Sequence, residues 1–149
     1  MLLIGTKNFG TQTVLADGLV NLGTTYRKFC KRNRCGVPAF AVTSNGISLQ
    51  HEGIYHITAT FVGSGSVAGD VTVQLFLNGV AVDGALSTQT ITTADTEIRT
   101  FVIDYYVKVD RDCILGVDST VAETVSFVNT SEAIDTTFTS VVVNVDKVV

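Results

Sequence analysis

Three cysteines, two histidines and one burst of positive charge are the side chains with chemistry to offer. The stretch Tyr26–Gly36 reads YRKFCKRNRCG. It carries Cys30 and Cys35 together with Arg27, Lys28, Lys31, Arg32 and Arg34, half of the chain's ten cations. A structural zinc site takes four thiolate or imidazole ligands, usually as two closely spaced pairs. Cys30 and Cys35 make one pair, but no spacing selects Cys113, His51 or His56 to complete it, so zinc is the weakest reading. A Cys30–Cys35 disulfide ranks above zinc, and isolated reduced thiols rank above both, because an odd cysteine count at these spacings is no disulfide framework.

Catalytic patterns fare no better. His51 and His56 lie in a segment with strand-like alternation, where they need not converge on a metal. The glycine-rich GSGSVAG (63–69) lacks the Gly-Lys-Ser/Thr ending of a phosphate loop, and no helix follows it. No nucleophile-elbow pattern singles out a serine. The expectation is a protein that is not an enzyme and takes no cofactor and no metal. The cations have two readings. Edge strands often carry Lys and Arg to discourage unwanted pairing, which is the plainer and preferred one. The sharper one is docking of Arg27, Lys28, Lys31, Arg32 and Arg34 on an acidic partner such as a capsid shell.

The elements that must hold these residues are legible in the composition. Thr and Val supply 44 of 149 residues, against one Pro and no Trp. Both abundant types are β-branched, stiff in a helix and well suited to a pleated sheet. A chain of this length buries ~70% of its unfolded surface, enough for one domain without staples. Removing the five cations of the burst from the formal charge of −4 leaves −9 on the rest. An acidic body with one basic patch is a poor match to a phosphate backbone, so no nucleic-acid partner is expected. No apolar run approaches the ~20 residues that span a bilayer, so no membrane partner is expected. The opening MLLIGTKNFG is too short an apolar run for a signal-peptide core, which suggests synthesis in, and release from, a cytoplasm.

Residues 1–13 are weakly patterned and read as an N-terminal arm, with the main domain at 14–149. Beyond the arm, short alternating runs are separated by turns. EGIYHITATFV puts Tyr55, Ile57, Ala59 and Phe61 on one face and Ile54, His56, Thr58 and Thr60 on the other. DVTVQLFLNGVAV places Val71, Val73, Leu75 and Leu77 together and breaks at Asn78-Gly79, a dipeptide suited to a tight hairpin. IRTFVIDYYVKV sets Phe101, Ile103, Tyr105, Val107 and Val109 against Val102, Asp104, Tyr106 and Lys108. The last run, TTFTSVVVNV, is apolar on both faces by simple alternation, with Phe138 and Val142 on one and Val141 and Val143 on the other. A doubly apolar strand implies a second covered surface, most simply another copy of the chain. The fold class is all-β, a sandwich of two antiparallel sheets.

From GISLQHEGIYHITATFVG onward the pattern resembles the jelly-roll domain of the tumour necrosis factor and complement globular-head families. The resemblance rests on Gly53-Ile54-Tyr55 opening a strand, VQLFLNGVAV ending one in Asn-Gly, YYVKVDRDCILGV turning at acidic residues, and TTFTSVVVNV closing the fold. These fall in family order over roughly residues 46–147. A narrower likeness is to small jelly-roll virion proteins of phages and prophages of Gram-positive bacteria. Those often carry a basic, cysteine-containing segment before the first core strand and a Gly-Ala step after the hairpin, here Gly84-Ala85.

The resemblance implies a homotrimer about a threefold axis faced by His56, Asp104, Tyr106 and Val141, with Tyr55, Ile57, Phe61, Ile103, Tyr105 and Phe138 inside the sandwich. Three His56–Asp104 pairs at the axis would make assembly pH-sensitive, although a hydrated pair without consequence is the preferred reading. The function implied is a non-enzymatic virion structural protein, a capsid decoration or head-fibre-like protein contacting the major capsid or another virion protein. The alternative is a receptor-binding or adhesion module of a phage fibre or bacterial surface. Gly63–Gly69 and Asp83–Thr96 would be its outer loops, and their lack of aromatic side chains for stacking on sugars favours decoration.

Overall fold

The computed structural model describes residues 2–32, 36, 38–110 and 122–149; Arg34, Cys35 and Cys113 lie outside them. Among the described residues every regular element is a strand. They are β1 (Leu2–Asn8), β2 (Gln12–Val14), β3 (Thr24–Lys28), β4 (Phe40–Val42), β5 (Ile47–Leu49) and β6 (Gly53–Gly65). The remainder are β7 (Gly69–Leu77), β8 (Val80–Ile91), β9 (Arg99–Val109), β10 (Glu123–Asn129) and β11 (Thr136–Lys147). Every pairing is antiparallel. One sheet runs β3-β1-β11-β6-β9, with β2 also paired to β11; the other runs β4-β5-β10-β7-β8. The chain is a two-sheet sandwich.

Alternation in β6, β7 and β9 works as the sequence implies. Tyr55, Ile57, Ala59 and Phe61 are buried, as are Val71, Val73 and Leu75, and Phe101, Ile103, Val107 and Val109. Tyr105 is partly buried against the same core. Phe61 sits at its centre, 5.2 Å from Phe127 and 5.6 Å from Phe138 between ring centroids, while Phe101 meets Phe138 edge-on at 6.2 Å. Tilted and edge contacts of this kind suit the ring quadrupoles better than a face-to-face stack. The β7–β8 hairpin turns on Asn78 (φ 52°) and Gly79 (φ 80°), as a two-residue turn with positive φ at both positions requires.

Three expectations need correction. The residues read as an arm include β1, which is clamped between β11 and β3, with Leu3 and Ile4 buried. Gly5 and Thr6 blur its alternation in the sequence. The supposed loop at Gly63–Gly69 is mostly strand, since β6 continues to Gly65 and β7 begins at Gly69; likewise β8 extends to Ile91 through most of Asp83–Thr96.

The third correction concerns β11. Phe138 pairs with Gly63 and Ser140 with Val62, so Thr139 is an extra residue in the ladder. Such a bulge shifts the phase of every side chain after it. Phe138, Val141, Val143 and Val145 therefore all face the core, whereas Ser140, Val142, Asn144 and Asp146 alternate with them. The strand that looked apolar on both faces is apolar on one.

Candidate functional site: an exposed sheet face and an edge cleft

The outer face of the β3-β1-β11-β6-β9 sheet gathers three of the four residues expected at the threefold axis. His56 on β6 lies between Asp146 on β11 and Tyr106 on β9. Its Nε2 contacts the Asp104 carboxylate, and its ring stacks on Tyr106 at 4.6 Å between centroids and 16° between planes. Tyr106 is 58% exposed and Val102, two rungs along β9, is 53% exposed. Val141 does not belong to this face. It is fully buried in the core, because the bulge at Thr139 reverses the alternation that had placed it outside.

One residue of this face escapes the sequence reading and another is under-read. Val102 had been placed on it by alternation without being counted among the axis residues. Tyr26, hidden among the cations, reaches it from β3: its ring covers Gly5 and its hydroxyl donates to the Asn144 side chain. A Cβ on Gly5 would lie 2.5 to 2.7 Å from atoms of that tyrosine side chain, so only glycine lets the ring lie flat there. The face thus presents Val102, Tyr106, Ile54 and Tyr26 to solvent, with His56 and Asp104 set among them.

The cations lie at the far edge of the same sheet. Arg27 and Lys28 belong to β3, which ends the sheet, and Lys31 and Arg32 follow it; all four are exposed. Arg32 donates to the Gly36 carbonyl and is bridged to Pro38. Among the described residues, no carboxylate forms an ion pair with Arg27, Lys28, Lys31 or Arg32. Beside them lies a cleft of about 400 Å³ lined by Thr25, Tyr26, Arg27 and Lys28 of β3 and by Phe40 and Val42 of β4.

Cys30 is a free, exposed thiol. Among the described residues, no three His, Cys, Asp or Glu side chains are grouped so as to hold a metal ion. The chemistry this arrangement supports is contact: an apolar and aromatic sheet face, and a cationic cleft at one end of the sandwich.

Strand order and antiparallel pairing describe a two-sheet jelly-roll sandwich, the fold shared with the solved structures it superposes on. The chain superposes on Eiger TNF from S. frugiperda with a TM-score of 0.63 at 10% sequence identity, covering 100% of this chain and 94% of that one. It also superposes on PRD1 vertex protein P5 with a TM-score of 0.51 at 15% identity, covering 99% of this chain and 97% of that one. No protein-family model matches the sequence, and no curated protein matches it.

Proposed function

We propose that this chain is a non-enzymatic structural protein of a phage or prophage virion, a homotrimer that decorates the capsid or forms a head-fibre-like projection. The observation that carries the reading is the solvent-facing set of Val102, Tyr106, Ile54 and Tyr26 on one sheet of a tumour necrosis factor-type sandwich. An aromatic and aliphatic group gathered on one sheet face is characteristic of a contact surface. The tumour necrosis factor and complement globular-head families that the sequence resembles trimerise, and the likeness in fold to a vertex protein supports a place on a particle. A stable contact needs to bury at least ~1,000 Å² in total, within the reach of one sheet face. The basic segment, including Arg34, would face the particle, and assembly would take place in the host cytoplasm. Decoration is favoured over receptor binding because the connections 66–68 and 92–98 carry no aromatic side chain to stack on a sugar.

Two measurements test this. Light scattering on the purified chain should return three times the 15.8 kDa protomer mass; a single-copy species at micromolar concentration overturns the trimer. Gold-labelled antibodies should decorate intact particles released from a host carrying the sequence, and unlabelled particles overturn the virion role.

A further inference from the structure

The sandwich is closed along one side and open along the other. At the closed side, β8 packs on β9 and the Gln89 side chain donates across to the Thr100 carbonyl at 3.2 Å. At the other side β3 ends one sheet and β4 ends the other, and the 400 Å³ cleft lies between them. Each edge strand has one backbone side with no neighbouring strand among the described residues. Thr25 and Lys28 pair with the inward-facing Thr6 and Ile4, which puts them on the cleft side of β3. Phe40 and Val42, paired with buried Leu49 and Ile47, form the apolar wall opposite.

We propose that this cleft is a strand-addition site for an extended acidic segment of a partner protein. An incoming strand would pair along the free edge of β3, place apolar side chains against Phe40 and Val42 and the Lys28 stem, and set its alternate carboxylates on the Arg27 face. Addition of a strand to an exposed edge takes its affinity from main-chain hydrogen bonds and its selectivity from the alternate side chains. The occupant is acidic because the cations of the rim have no carboxylate partner among the described residues. The bulge at Tyr26, where two β3 residues oppose a single step of β1, twists the edge so that unselective pairing is disfavoured. The inference deepens the proposed virion role by giving the docking segment a binding mode.

The probe is a fluorescein-labelled octapeptide of alternating Glu and Val, titrated into the full chain and followed by anisotropy and by amide shifts in nitrogen-15 NMR spectra. Binding should perturb the amides of Thr24–Lys28 and Phe40–Val42, and weaken with added salt. The double substitution Arg27→Glu and Lys28→Glu should weaken it about fivefold or more. A peptide N-methylated at alternate residues keeps its charges but cannot pair, and it should not bind. Absence of binding at about millimolar peptide, equal binding of the methylated peptide, or shifts confined to the outer face each overturn the site. A fall in protomer number on adding peptide would assign the cleft to a second copy and overturn it too. Labelled particles with no peptide binding would leave the virion role standing without this site, and the reverse outcome would leave the site without that role.

Discussion

Single residues fix the two surfaces. Gly5 has no Cβ, so the Tyr26 ring lies on its backbone and the tyrosine hydroxyl reaches Asn144 across the intervening strand. Gly5→Ala would drive a methyl into that ring and displace it. Urea denaturation should show a loss of about 1–3 kcal/mol, the range for an overpacked site. Tyr26→Phe removes only the hydroxyl and should cost about 1 kcal/mol. A larger loss from Tyr26→Phe than from Gly5→Ala would contradict the packing account. A second residue-scale effect is electrostatic. The hydrogen bond from the Thr92 backbone N–H holds the Glu97 carboxyl below the usual carboxylate range, helped by the Thr92 hydroxyl and Arg99. Because the folded pKa is the lower one, the stabilisation is complete above the ordinary value of about 4.3 and fades as pH falls through the lowered pKa. The Thr92 amide resonance should therefore titrate with a midpoint below that ordinary value, and Glu97→Gln should abolish that titration.

At the scale of elements, the β7–β8 hairpin shows how a short signal can be read correctly and still understate its role. Asn78-Gly79 announces a tight turn, and the turn is there. The sequence does not reveal that Asn78 also ties the hairpin to β10. Its side-chain amide donates to Glu123 at 2.7 Å and accepts from the Thr124 backbone at 2.8 Å, while its own N–H donates to the Thr124 carbonyl. Asn78→Ala should then cost about 1–3 kcal/mol, since it removes both bonds and places alanine at positive φ. Gly79→Ala, where only φ is at issue, should cost about 1 kcal/mol. Thermal melts of the two variants distinguish the contributions. The same contrast explains what was legible. Strands β6, β7 and β9 have an uninterrupted period of two, so alternation alone sorts Tyr55 from His56 and Ile103 from Asp104. In β11 the period is broken by one residue, Thr139, and nothing in TTFTSVVVNV marks it; a bulge is set by pairing with β6. That one residue moved Val141 from the axis to the core. In β1 the pattern is masked by Gly5, whose purpose appears only once Tyr26 of β3 folds over it.

At the scale of the whole molecule, the sandwich and the proposed homotrimer would place different demands on the two faces of one sheet, and substitutions can separate them. Val141 and Tyr106 were expected to share a surface, but one lies in the core and the other is 58% exposed. Val141→Ala removes buried methyl groups and should lower protomer stability by about 1–3 kcal/mol. It should leave the number of copies per particle in solution unchanged. Tyr106→Asp removes an exposed ring beside His56 and puts a third carboxylate near Asp104 and Asp146. Its circular dichroism spectrum should stay that of an all-strand protein while light scattering falls to the protomer mass. Desolvating like charges at a contact costs more than the few contacts it retains can supply. The paired outcome matters more than either alone. If Val141→Ala dissociated the assembly and Tyr106→Asp did not, the assembly surface would have to lie elsewhere, and the outer sheet face would be free for another partner. If each acts only in its own compartment, the side of the sheet that faces water in a single protomer is the side that faces sister copies.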